Sequence, residues 1–191
     1  MEKSQKLKDM EKSIRKYSDE IFIDTIYNKK LDKELLITIS ERSSTKVKIF
    51  EETCGLNEIA SISYSPWGGR IFLSAFCVDA NFQRNGIGRF LFDFMLAHGD
   101  TLGANYLFGY AMPTDDISGI DGIGLERYHD EQKTLQMIYE KLGCSFDSPL
   151  NLEEEDKVFE QKWENGEKYS KATTEIKNLI QKYNKKEIER N

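Results

Sequence analysis

Residues 70–102 read RIFLSAFCVDANFQRNGIGRFLFDFMLAHGDTL, and the way this stretch divides decides the fold. Arg70 to Val78 is apolar at nearly every position (Ile71, Phe72, Leu73, Ala75, Phe76, Cys77, Val78), the pattern of a central strand covered on both faces. From Ile87 the spacing becomes helical, with Ile87, Phe90, Leu91, Phe94 and Met95 on one stripe. Between the two lies Gln83-Arg84-Asn85-Gly86-Ile87-Gly88. A strand that delivers the chain into a Gly-x-Gly turn at a helix start points several backbone N–H groups outward. The positive end of the helix dipole stands behind them, which suits phosphate oxygens.

The turn lacks the lysine and hydroxyl of a nucleotide-triphosphate loop, and it is not Gly-x-Gly-x-x-Gly with an acid one strand later. Gln83-x-x-Gly86-x-Gly88 resembles the pyrophosphate motif, Gln/Arg-x-x-Gly-x-Gly/Ala, of the GNAT superfamily of CoA-dependent N-acetyltransferases. Val78-Asp79-Ala80-Asn81-Phe82 is similar to the family's strand end, and Tyr139-Glu140-Lys141-Leu142-Gly143 resembles a second signature in the expected order. The likeness spans about Phe72 to Phe146. Read without it, Gly-x-Gly fits a plain helix-entry turn as well as a phosphate site, and Tyr139 fits an interfacial core tyrosine.

The resemblance implies an α+β fold with a mixed central β-sheet flanked by helices. It implies acetyl-CoA as cosubstrate, an amine acceptor, and direct transfer in a ternary complex. The pyrophosphate would lie on Gln83, Arg84, Asn85, Gly86, Ile87, Gly88 and Arg89. The pantetheine arm would pair like an added strand with the backbone of Phe76, Cys77 and Val78, where two parallel strands splay apart. Val78 would offer its N–H to the developing oxyanion, and Tyr139 would protonate the departing thiolate.

Hydrophobic residues make up 39% and charged residues 31% of 191, which suits a soluble domain with terminal extensions. The net charge of −6 argues against a nucleic-acid or anionic-membrane partner. Cys54, Cys77 and Cys144 read as free, buried thiols of a reducing compartment. With no signal peptide and no apolar run of bilayer length, the expectation is a cytoplasmic protein. Scattered cysteines and two histidines argue against a metal site.

Along the chain, residues 1–18 carry Leu7, Met10, Ile14 and Tyr17 on a narrow stripe, read as an N-terminal helical extension or a frayed tail. Ile21–Tyr27 fits a first strand or a continued helix. Segments 34–40, 45–50 and 58–64 read as strands, 65–69 as a turn, and 105–111 as a strand parallel to the one at Arg70. The family usually places helices between its first two strands; here Asn28–Lys33 has room for a short one at most. Residues 112–130 read as a long glycine-bearing loop, either a substrate loop or plain surface. A helix follows over 131–142 and ends at Gly143, and 157–163 has strand character. Residues 19–165 would form the acetyltransferase domain, and 166–191 a C-terminal amphipathic helix and tail that covers the sheet or forms a homodimer contact.

The general base is open. Relatives use a strand glutamate, but Phe72, Ser74 and Phe76 are read on one face and none is acidic. Glu126, His129, Asp115 and Asp116 are candidates, each as readily a bystander. His98 is read as a surface residue near a helix end. The alternative function is a catalytically inactive GNAT-fold regulatory or protein-interaction module.

Overall fold

A computed structural model describes residues 8, 9, 12, 14, 22–52, 56–111, 122–146, 158–162 and 172–188. Its strands are β1 (Phe22–Asn28), β2 (Lys33–Glu41), β3 (Thr45–Glu52), β4 (Leu56–Trp67), β5 (Arg70–Val78), β6 (Tyr106–Tyr110), β7 (Ser145–Phe146) and β8 (Val158–Lys162). Its helices are α1 (Ile87–Thr101), α2 (Gly122–Leu142) and α3 (Thr174–Ile188), with one 3-10 turn at Ala80–Phe82. Positions 8, 9, 12 and 14 are also helical, and Ile14 is buried.

The strands form one sheet in the order β1-β2-β3-β4-β5-β6-β8-β7. From β1 to β5 each strand pairs antiparallel with the next, because only a few residues separate them. Among the described strands only β5 and β6 run parallel, across the α1 crossover. Of the segment Ile21–Tyr27, the described residues Phe22–Tyr27 are strand, and the space between β1 and β2 holds a turn at 29–32 rather than a helix. Strand β4 runs through Ser65, Pro66 and Trp67, so the turn shrinks to Gly68-Gly69. Both glycines have positive φ, 55° and 78°, which a tight hairpin closed by the Trp67–Arg70 pair requires.

The core lies between one sheet face and the helices. Ile37, Ile39, Val47, Ile49, Ile62, Tyr64, Ile71 and Leu73 share one cluster with Leu91, Phe94 and Met95 of α1 and with Ile176, Leu179, Ile180 and Tyr183 of α3. The C-terminal stripe read from the sequence is therefore a docked helix, capped at its start by the Thr173 hydroxyl, which accepts from Ile176 N–H at 3.3 Å. Helix α1 ends as its Gly103 suggests: Ala104 N–H bonds Gly99 C=O and Gly103 N–H bonds Asp100 C=O, both at 2.9 Å, a Schellman close.

Two expectations change. Helix α2 begins at Gly122, nine residues before the expected start, so 122–130 is helix despite Gly122 and Gly124. Each such glycine costs roughly 1 kcal/mol against alanine, a cost that a long helix absorbs and a local reading overweights. Strand β5 is not covered on both faces: Ile71 and Leu73 are buried, whereas Ser74, Ala75 and Cys77 are exposed. Cys144 is a buried free thiol, as expected, but Cys77 is an exposed one.

Candidate functional site

The exposed end of β5 has a local cause. Ser63 pairs with Ala75 but Tyr64 pairs with Leu73, which leaves Ser74 as an extra residue, a β-bulge. Its hydroxyl bonds back to Ser63 C=O at 3.0 Å. The extra residue shifts the alternation of faces by one. Before it, Ile71 lies against α1; after it, Phe76 and Val78 do, each within 3.4 Å of where a side chain on Gly88 would begin. Phe72 and Phe76 therefore lie on opposite faces, not on one.

The bulge also ends the parallel pairing. Strand β6 bonds β5 only from Arg70 to Leu73, the last partner being Gly109. Beyond that point β5 keeps β4 on one edge, and β6 leaves the other edge. Asp79 N–H bonds Ile59 C=O at 2.9 Å, continuing the antiparallel ladder. Such a ladder alternates, so with Asp79 turned toward β4, Cys77 is turned there too, while the N–H and C=O of Phe76 and Val78 point to the other edge, which is open among the described residues. Val78 C=O accepts from Gln83 Nε2 at 3.3 Å, as that direction requires.

From Val78 the chain passes through Asp79, which accepts from Asn81 N–H at 2.8 Å, into the 3-10 turn and then the motif turn. Arg84 has φ +63° and Gly86 has φ +82°. Gly86 caps α1 with no side-chain bond, and the first ladder bond runs from Phe90 N–H to Gly86 C=O at 2.9 Å. The N–H groups of Ile87, Gly88 and Arg89 thus have no acceptor within the helix. Arg89 pairs with Asp93 one turn on, at 2.9 Å.

Tyr139 belongs to the C-terminal close of α2, where Cys144 N–H bonds its C=O and Gly143 N–H bonds Glu140 C=O, both at 2.9 Å. The ring is buried, 6.5 Å from the Phe76 ring between centroids. Burial, and then the neighbouring Cys144, pushes its hydroxyl well above the ordinary tyrosine range. The structure thus brings Tyr139 to the strand end that carries the open edge. Among the described residues no group of three His, Cys, Asp or Glu could hold a metal ion. Asp115 and Asp116 lie outside the described residues, as do the side chains of Glu126 and His129, whose backbone is in α2.

No family model matches the sequence, and no curated protein does. Solved structures do. A cAMP-binding acyltransferase from Mycobacterium smegmatis is similar over 95% of this chain and 58% of its own, at TM-score 0.55 and 11% identity. A mutant of a cAMP-binding acyltransferase from the same organism aligns over 88% of this chain and 56% of its own, at TM-score 0.57 and 12% identity. An acetyltransferase of the GNAT family from Desulfovibrio desulfuricans is similar over 63% of this chain and 69% of its own, at TM-score 0.46 and 18% identity. The fold is α+β, and these mycobacterial acyltransferases share it. At these identities the likeness speaks for the fold alone, and this chain spans less than three fifths of the mycobacterial proteins.

Within that frame, three features escaped the sequence. The bulge at Ser74 carries no glycine to mark it. The β1–β2 turn reaches the motif turn across the fold, where Asn28 Nδ2 bonds Asn85 C=O at 3.0 Å. His98 is buried rather than on the surface. Its position did hold a signal, since Leu91, Phe94, Met95 and His98 follow helical spacing on the apolar stripe.

Proposed function

We propose that this protein is an acyl-CoA-dependent N-acyltransferase, with acetyl-CoA as donor and an amine as acceptor. The observation that carries this reading is the pairing, within one strand-turn-helix unit, of an open β5 edge and a helix start with three unused N–H groups. The first suits an extended amide chain, which pantetheine is, and the second suits its pyrophosphate. On this reading the outward groups of Phe76 and Val78 bind the arm, and Cys77 contributes only its place in the strand. Residues 84–89 hold the phosphates through backbone N–H groups.

Transfer forms an amide bond to the acceptor nitrogen and breaks the thioester C–S bond. Orientation of the two reactants supplies much of the rate, since well-placed partners gain roughly 7–11 kcal/mol. Val78 N–H, on the open edge, stabilises the oxyanion. Tyr139 stays protonated at neutral pH and donates a hydrogen bond to the leaving sulfur. With its hydroxyl pushed far above an ordinary thiol, near 8.5, it serves as donor more readily than as a full proton source in the unliganded state. The amine must lose its proton, and Glu126, His129, Asp115 and Asp116 remain the candidates.

Calorimetric titration with acetyl-CoA, run beside an amine-acceptor panel, tests this. Micromolar binding with turnover is expected; no binding would sink the reading. Tyr139→Phe is expected to lower turnover by about 10²-fold with CoA affinity unchanged. A second reading, a CoA-binding module without turnover, draws support from the absence of any acid in β5. Binding without turnover on any acceptor would favour it.

A further inference from the structure

The β1–β2 turn lies beside the motif turn, and its bonds to that turn are specific. Asn28, the last residue of β1, donates from Nδ2 to Asn85 C=O at 3.0 Å. Its Oδ1 accepts from the N–H groups of Lys30 and Leu31, both at 3.0 Å. The amide thus spends one donor on the motif turn and its acceptor oxygen on the turn that places Lys30. Lys30 Nζ in turn donates to Arg84 C=O at 3.1 Å. Two successive carbonyls, 84 and 85, are held from the same side.

We infer that Asn28 and Lys30 are positioning residues for the CoA phosphates, an inference that rests on the acyl-CoA reading of this site. In a trans peptide the C=O and N–H point in opposite directions. Fixing the carbonyls of Arg84 and Asn85 against the β1–β2 turn therefore directs the N–H groups of Asn85 and Gly86 away from it. The same bonds hold Arg84 at φ +63°, a left-handed conformation that a non-glycine residue keeps only when its surroundings enforce it. Lys30 has a second effect: its ammonium, 3.1 Å from Arg84 C=O, sets a positive charge behind the motif turn, and that charge adds to the field at a phosphate on the N–H side. In a chain of net charge −6, Lys29 and Lys30 on one turn opposite Arg84 form a local exception.

The test is calorimetric titration of CoA into the full chain and three variants at two salt concentrations, with thermal unfolding of each protein alone. Asn28→Ala is expected to weaken CoA binding about tenfold, the size of a lost hydrogen bond beside a charged ligand. Lys30→Met is expected to weaken it similarly and to flatten the salt dependence, because one cation behind the motif turn is gone. Lys30→Arg should stay near the parent. Lys30→Met leaves the backbone bonds of the turn intact, so it decides the matter if Asn28→Ala unfolds. CoA affinity within about twofold of the parent in Lys30→Met, with an unchanged salt slope, overturns the role of Lys30. The same result in folded Asn28→Ala overturns that of Asn28. Failure of the unaltered chain to bind CoA overturns the acyl-CoA reading itself and takes this inference with it.

Discussion

His98 shows how a single residue can report on packing. It lies on the α1 stripe, buried between β4 and α3, with the Tyr183 ring edge-on at 5.4 Å and Phe94 at 6.1 Å. Its Nδ1 is 2.8 Å from Tyr64 Oη. Burial, then the charges of Glu41 and Tyr183, holds the Tyr64 hydroxyl well above its ordinary range. Tyr64 therefore keeps its proton and shares one hydrogen bond with Nδ1, while Nε2 faces Glu41 at 3.9 Å. Burial lowers the His98 pKa, and Glu41 opposes this without reversing it. The sign follows. A histidine depressed in the folded state contributes stability that is complete above its unfolded value near 6.5 and is lost as pH falls through the lowered folded value. Denaturant unfolding from pH 7.5 down to 5 should show stability falling more steeply in the parent than in His98→Gln, which keeps a hydrogen-bonding side chain but does not titrate. Parallel pH profiles would mean that His98 titrates alike in the folded and unfolded states and that burial does not depress it.

Elements were legible where a repeating pattern carried them, and illegible where a single residue or a distant contact decided. The apolar run 70–78 and the stripe from Ile87 matched β5 and α1 almost to the residue, and Gly103 and Gly143 closed their helices. The bulge was invisible because it depends on how β4 and β5 register, and Ser74 has no local peculiarity. The early start of α2 was missed because glycine was weighed as a loop former. Around the candidate site, the sequence located the turn before α1 and Tyr139 in the last turn of α2, but not the bonds from Asn28 and Lys30, because nothing local ties residues 57 and 54 apart. Gly99 is a further case of contact written across elements. A Cβ there would meet Ile71 Cδ1 at 1.9 Å and Cγ1 at 2.9 Å, so α1 rests on β5 through this glycine. Alanine would gain up to about 1 kcal/mol in helix propensity but overpack at about 1–3 kcal/mol. Gly99→Ala should therefore be destabilised, by about 1–2 kcal/mol net, with an unchanged denaturant slope. Adding Ile71→Val, which removes Cδ1, should recover part of that loss; a purely additive double variant would show that the two do not share the space.

At the scale of the whole molecule, the two faces of the sheet near the open edge are unlike. On one face Phe76 meets Phe92 of α1 and Tyr139 of α2, so that side of the notch is filled. On the other, Trp67, Phe72, Phe108 and Tyr110 form a run of ring contacts at 5.2 to 6.3 Å, with Trp67 70% and Tyr110 46% exposed. Arg70 lies 5.4 Å from the Tyr106 ring, so the same face already seats one cation on an aromatic. The β1–β2 connection is a turn at 29–32, and no helix from that point reaches across these rings. If the acyl group lies along the β5 edge, an amine reaches it from the aromatic face, because helix and core occupy the other. Trp67→Ala and Tyr110→Ala should then raise the acceptor KM by about twofold to thirtyfold each, the worth of one ring facing a cationic or apolar ligand at roughly 0.5–2 kcal/mol. Their CoA affinity should not move, since neither side chain lies on α1 or the motif turn. The measurement is steady-state kinetics on whichever amine the acceptor panel returns, with CoA titrated separately into each variant. A fall in CoA affinity with no change in acceptor KM would place the two substrates on the reverse sides of the sheet.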